Sequence, residues 1–255
     1  MFRCCVRIAT LILLGLSSCL LHAADQVLDR PPAGGKAIVL STAYGTTFDA
    51  YVSGPEDAKR GILIIHDRRG LGEHARNWAD RFAGLGYRAL AIDLYDGRYS
   101  NDPALATRIM TSIDQESANA DLKAGVDYLK APGRKIAAFG WDYGGGQALW
   151  AALQDPEAVA ATIIYYGPLN TNLKALRTLS ASNPVLGIFG KRDAWISPAK
   201  VAAFEDAMRE AGVPLSIVQF DADHGFTNPA NKSYSKVLAD EAWQKTEDFL
   251  SRYLE

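Results

Sequence analysis

Three residues of this 255-residue chain carry side chains whose order and surroundings suit hydrolytic chemistry: Asp142, Asp193 and His224. Asp142 lies in Gly140-Trp141-Asp142-Tyr143-Gly144, directly after the apolar run from Lys135 to Phe139 and before Gly145 and Gly146. This is the pattern of a nucleophile elbow, a tight strand-to-helix turn that lifts one side chain over the end of a sheet. Glycines flank the exposed residue because a Cβ beside it would collide with the crossing backbone. Asp193 falls in Gly190-Lys191-Arg192-Asp193, and His224 in Asp221-Ala222-Asp223-His224-Gly225-Phe226. An elbow residue followed in the chain by an acid and then a histidine is one order in which a base and its orienting carboxylate serve a nucleophile.

The elbow residue is a carboxylate, which changes the chemistry open to it. Attack by a carboxylate on an ester carbonyl would give an anhydride, a poor resting point for ester hydrolysis. Attack at saturated carbon would give an ordinary alkyl ester. Carboxylates are ionised at neutral pH without a neighbouring base. In the saturated-carbon scheme His224 would therefore serve water in the second step rather than the first attack. On an ester, His224 could instead activate water while Asp142 acts electrostatically, which avoids the anhydride.

These residues need a frame, and the apolar pattern supplies one. Ala37 to Ser53 reads as two strands around Ala43-Tyr44-Gly45, a plausible hairpin. Ile62 to Ile65, Ala89 to Ile92, Ile136 to Phe139, Thr162 to Tyr165, Val185 to Phe189 and Leu215 to Phe220 are short apolar runs, the mark of buried strands. Between them Trp78, Phe82 and Leu85 fall at helical spacing with Gly86 as a stop, and Leu122, Val126 and Leu129 mark another helix. Ser197-Pro198 is a helix start of the N-cap plus N1-proline kind. Val201, Phe204, Met208 and Ala211 follow on one face, with Gly212 after them. Ala239, Trp243, Thr246, Phe249, Leu250 and Tyr253 form the inner stripe of a closing helix. Repeated strand-helix units imply a mostly parallel sheet with helices on both faces. The functional residues all follow strands, where open sheets of this kind bind ligands.

The elbow and this alternation together argue for an α/β-hydrolase fold. In detail the chain resembles the dienelactone hydrolase family. The resemblance rests on His66-Asp67-Arg68-Arg69-Gly70-Leu71, Ala91-Ile92-Asp93-Leu94-Tyr95, the elbow, Gly190 to Asp193 and His224-Gly225-Phe226, and covers the chain from about Gly61 onward. It implies an uncapped hydrolase of small esters or lactones with a triad, usually Cys-Asp-His, and no cofactor. Asp142 then takes the nucleophile's position, Asp193 orients the histidine and His224 is the base. Backbone N–H groups of Arg68 and Tyr143 would form the oxyanion hole. Asp67 stands where the family often has a glutamate that contacts the nucleophile.

Other readings stand beside this one. Haloalkane dehalogenases and epoxide hydrolases use a similar Gly-x-Asp-x-Gly elbow at saturated carbon, with a helical cap that serves the leaving group. Here Pro168 to Pro184 leaves room for one ordinary helix and no cap. Asp142 could instead mark a silent scaffold. Asp67, Asp142, Asp193 and His224 could also converge on a divalent cation, although the compact ligand spacing of a metal site is missing and no metal is expected. Asp193 alone would suit a loop carboxylate capping the helix near Ser197. Asp67 could be a site carboxylate or pair locally with Arg68 or Arg69, and those two arginines could bind an anionic substrate or offset Asp67 and Asp142. His74 is expected on a solvated helix face. Tyr165 and Tyr166 read as strand-end packing, one of them a candidate pocket wall. Gaps of about 50 and about 30 residues between the three site residues leave room for one helix-strand unit each.

Residues 1–23 read as a signal peptide. Arg3 and Arg7 precede an apolar core from Ile8 to Leu21, and Leu21-His22-Ala23 offers a cleavage signal. That core is too short to span a bilayer, which takes about 20 residues. Leu16-Ser17-Ser18-Cys19 also reads as a lipobox that would leave a lipid anchor at Cys19. The expected address is periplasmic or secreted, with a membrane-tethered lipoprotein as the alternative. Residues 24–255 would form one α/β-hydrolase domain, large enough to rely on its core. All three cysteines (Cys4, Cys5 and Cys19) lie in the leader, so no disulfide is expected beyond it. Losing Arg3 and Arg7 takes the net charge from −2 to −4. With no basic block, nucleic acid is an unsuitable partner, and a small-molecule substrate is the expected one.

Overall fold

The computed structural model describes residues 34–254. The expected leader, its cleavage signal and Cys19 lie outside the described residues. Eight strands form one sheet: β1 Lys36–Ser41, β2 Thr47–Ser53, β3 Arg60–Ile65, β4 Tyr87–Ile92, β5 Lys135–Trp141, β6 Val159–Tyr165, β7 Val185–Gly190 and β8 Leu215–Phe220. Their spatial order is β1-β2-β4-β3-β5-β6-β7-β8. The β1–β2 hairpin and the β2–β4 pair are antiparallel, and every later neighbour is parallel. The hairpin turns where the sequence predicts, with Gly45 at φ 84° and the Thr42 N–H donating to the Thr46 carbonyl at 2.8 Å.

Central strands buried on both faces need helices on both faces. The helices are α1 Glu73–Gly84, α2 Pro103–Thr111, α3 Gln115–Leu129, α4 Tyr143–Gln154, α5 Leu173–Leu176, α6 Pro198–Ala211 and α7 Lys236–Leu254. Phe139 and Trp141 of β5 face α1, where Trp78 packs at 5.1 and 4.9 Å, and Trp78 also meets Trp243 of α7 at 5.0 Å. Leu63 is in register with Ala138, so the two share the opposite face. There α3 comes so close that a Cβ on Gly125 would lie 2.9 Å from Leu63 Cδ1. Thus α1 and α7 cover one face and α3 the other, with α4 packed beside it on β5 and β6.

Three local expectations need correction. Helix α2 is absent from the sequence reading. Its start is of the same kind as that of α6: the Asp102 carboxylate accepts the Leu105 N–H at 2.7 Å and Pro103 opens the helix. Between Pro168 and Pro184 there is the four-residue α5 rather than an ordinary helix. The interval from Asp142 to Asp193 holds two strands, β6 and β7, where the apolar runs place them, and so more than the one helix-strand unit read from its length. Among the described residues no cap stands over the sheet.

Candidate active site

The elbow geometry follows from the glycines. Asp142 sits between β5 and α4 at φ 50°, ψ −123°, a strained conformation tolerated only where its surroundings fix it. A Cβ on Gly140 would lie 2.2 Å from the Gly144 carbonyl oxygen. One on Gly144 would lie 2.3 Å from the Ile65 oxygen and 2.4 Å from the His66 oxygen. The turn can therefore close only on bare backbone. It is pinned by the Asp142 N–H donating to Tyr165 O and the Gly145 N–H donating to Asp142 O, each at 3.0 Å.

Asp193 and His224 come from two loops bound to each other. Past β7 and β8, the Lys191 N–H donates to Phe220 O at 2.8 Å and the Arg192 N–H to Ala222 O at 3.0 Å. His224 Nδ1 meets Asp193 Oδ2 at 2.7 Å, and His224 Nε2 lies 3.4 Å from Asp142 Oδ1. The first is a well-made hydrogen bond; the second is a longer charge contact. Asp193 Oδ1 accepts the N–H groups of Trp195 at 2.7 Å and Ile196 at 2.9 Å. The carboxylate thus orders the loop ahead of α6 and touches the histidine at once, combining both of its expected roles.

Burial pushes the Asp193 carboxyl up, but the bond from His224 and the two N–H donors outweigh it and hold it low. For His224 burial works downward, and the flanking Asp142 and Asp193 overcome it, raising the imidazole to about 9. His224 is therefore an imidazolium at neutral pH.

The loop after β3 brings the remaining expected residues. Arg68 Nη1 lies 3.7 Å from Asp142 Oδ2, and its guanidinium stacks 4.8 Å from the Trp195 ring. Asp67 accepts the Arg69 N–H at 2.9 Å and the Asn228 amide at 3.0 Å. It is tied to backbone and amide rather than to either guanidinium. Arg69 reaches the Ala230 carbonyl at 3.5 Å and lines the same cleft. With both oxygens of Asp67 and Asp193 so engaged, the four expected groups do not converge as ligands. Among the described residues no group of three or more His, Cys, Asp or Glu could hold a metal ion.

Among the described residues neither the Arg68 nor the Tyr143 backbone N–H has an acceptor in the turn, loop or side-chain contacts. His66, buried behind them, explains the loop's orientation. Its Nδ1 bonds the Asp67 carbonyl at 2.7 Å, and its Nε2 accepts the Leu94 N–H at 3.1 Å. Because a trans peptide points its N–H opposite its C=O, fixing the Asp67 carbonyl turns the Arg68 N–H away from His66.

The cleft is small and open, and is lined by Asp67, Arg68, Asp142, Tyr166, His224 and Asn228 among others. Tyr166 is the pocket-wall tyrosine; its hydroxyl pairs with Thr227 at 2.7 Å. Tyr165 is buried against Thr246 at 2.8 Å. His74 is not on a solvated face: it packs 4.9 Å from Trp141, and burial, with Arg69, lowers it to about 4 against the opposing pull of Asp67. Asn228 and Trp195 escaped the sequence reading. Only their nearness to His224 and Asp193 in the chain could have flagged them.

This arrangement on this sheet defines an uncapped α/β-hydrolase. The model of the dienelactone hydrolase family matches residues 48–254. The chain is 27% identical to Protein usf of Aquifex pyrophilus, over 82% of this chain and 95% of that one. It is 28% identical to a candidate carboxymethylenebutenolidase of Methylorubrum extorquens, over 75% and 72% of the respective lengths. A crystal structure of a candidate dienelactone hydrolase from Klebsiella pneumoniae superposes with TM-score 0.74 at 25% identity, covering 86% of this chain and 99% of that one. The chain belongs to the dienelactone hydrolase family, and with it to the hydrolases that act on esters or lactones.

Proposed function

We propose that the protein hydrolyses small esters or lactones through a carboxylate–imidazolium pair, Asp142 and His224, steadied by Asp193. The observation that carries this reading is the setting of His224, 2.7 Å from Asp193 and 3.4 Å from Asp142. Held as an imidazolium up to about pH 9, His224 enters the reaction as an acid. Asp142 attacks the substrate carbonyl carbon, and the carbonyl oxygen moves onto the N–H groups of Arg68 and Tyr143. The bond to the departing oxygen breaks as His224 Nε2 gives that oxygen its proton. A mixed anhydride at Asp142 and a neutral imidazole remain. His224 then takes a proton from water as the water attacks the acyl carbon, restoring both charges. Because a carboxylate displaces only a weakly basic oxygen readily, enol and aryl esters or lactones are the preferred substrates.

A panel of small esters, lactones, epoxides and haloacids tests this reading with the purified protein. Ester or lactone turnover that disappears in Asp142→Asn is expected. Turnover confined to epoxides or haloacids would move the reaction to saturated carbon. Ester turnover unchanged in Asp142→Asn would remove the covalent role.

We also propose that residues 1–23 direct export and are removed. No described helix is long and apolar enough to cross a membrane. N-terminal sequencing of the exported protein should begin at Ala24; a lipid-modified Cys19 would favour the tethered form, and an intact Met1 would contradict export.

A further inference from the structure

We propose that the same site cleaves phosphodiesters, with Asp142 attacking phosphorus and the Arg68 guanidinium holding a charged non-bridging oxygen. This rests on the roles given above to Asp142 and His224, and extends them to a second class of substrate.

The observation behind it is a surplus of donors. A carboxylic ester offers two oxygens at its reacting centre. The carbonyl oxygen suits the Arg68 and Tyr143 backbone N–H groups, and the departing oxygen suits His224. The Arg68 guanidinium, 3.7 Å from the attacking carboxylate, then has no oxygen of the reacting centre to bind. Yet its Nη1 is buried without a hydrogen-bond partner among the described residues, as is His224 Nε2. It lies 3.7 Å from the Asp142 carboxylate, with the guanidinium braced on Trp195.

A phosphodiester monoanion has the matching set. One non-bridging oxygen enters the backbone N–H pair, the second meets Arg68, and the departing oxygen meets His224. Guanidinium is suited to phosphate oxygens, and its charge lets the anion approach Asp142. A triester has only one non-bridging oxygen and leaves Arg68 unused. A monoester brings two charges against Asp142. Attack by a carboxylate on phosphorus gives an acyl phosphate, a known covalent form of enzymic aspartate.

The step balances. A bond forms between an Asp142 oxygen and phosphorus, the bond from phosphorus to the departing oxygen breaks, and that oxygen takes the His224 proton. Water then attacks phosphorus, giving one proton to neutral His224. A phosphomonoester and free Asp142 result.

The test uses four substrates that share one leaving group: p-nitrophenyl acetate, methyl p-nitrophenyl phosphate, p-nitrophenyl phosphate and dimethyl p-nitrophenyl phosphate. Wild-type protein should turn over the diester at least about ten times faster, in kcat/KM, than the monoester or triester, and Asp142→Asn should abolish this. Arg68→Gln should lower the ratio of diester to acetate turnover by about 50-fold, the order expected for one charge-assisted hydrogen bond, and Arg68→Lys should restore part of it. Melting curves identify any variant that fails to fold, and the wild-type comparison of the three phosphate esters does not depend on a variant. Acetate hydrolysis that needs Asp142, with no diester turnover, would overturn this inference alone. So would a loss shared equally by both substrates in Arg68→Gln. Diester turnover that needs Asp142, beside acetate turnover that does not, would sustain it and overturn the carboxylic-ester reading.

Discussion

The two sides of His224 are built differently. On the Asp193 side the contact is 2.7 Å, the carboxylate is fully buried, and its other oxygen takes two backbone N–H groups. On the Asp142 side the contact is 3.4 Å, the carboxylate is 14% exposed, and the nearest guanidinium stands at 3.7 Å. A carboxylate saturated with hydrogen bonds is fixed in place and serves to orient its partner. One with loose neighbours on a strained turn still has its interactions to make. In the proposed mechanism, the contrast separates the acid that orients His224 from the acid that meets the substrate.

Four changes break or sharpen that contrast. Asp142→Asn keeps the volume and should lower kcat by about 10⁴-fold or more, the scale on which nucleophiles are lost, and should lower the pKa of His224 as well, since Asp142 is one of the two carboxylates that raise it. Asp193→Asn should cost up to about 10⁴-fold in kcat and, by weakening its grip on the imidazole, lower the pKa of His224 seen by NMR. Gly144→Ala should act through the fold, destabilising the protein by about 2–4 kcal/mol because its Cβ would meet two carbonyl oxygens; chemical denaturation measures this. The smallest effect is expected from Asn228→Ala, which removes one amide from Asp67 and should change kcat/KM by less than about tenfold.

The same contrast sets the pH dependence. His224 is raised in the folded protein from 6.5 to about 9. Its contribution to stability is therefore complete below about pH 6.5 and fades as pH rises through about 9. Asp193 is shifted the other way. Its contribution is present above the ordinary carboxylate range and is lost as pH falls through its lowered value. If the imidazolium is the reacting form, kcat/KM for an ester with a poor leaving group should fall as pH rises through about 9. A rise over that range would mean that His224 acts first as a base.

Much of this was legible in the sequence because it rests on local patterns. Apolar runs mark six of the strands and a hairpin pattern the other two, Gly140 and Gly144 mark the elbow, and the chain order of Asp142, Asp193 and His224 anticipates their meeting. What escaped depends on tertiary neighbours. His74 looks like any polar residue near a helix start until Trp141 covers it. Asn228 has no pattern of its own and matters only because Asp67 lies opposite. Helix α2 has a start signal in Asp102-Pro103 but little else to mark it, because only Ala106 and Ile109 of its nine residues are buried and its apolar stripe is short.

The most direct test is mass spectrometry of a single turnover by His224→Asn with an aryl ester, whose leaving group needs no proton. Attack by Asp142 should proceed while the second step, deprived of its base, stalls. An acyl adduct is expected on the peptide containing Asp142, formed in step with one equivalent of released phenol. Phenol release with no adduct on that peptide, at any quench time, would contradict it.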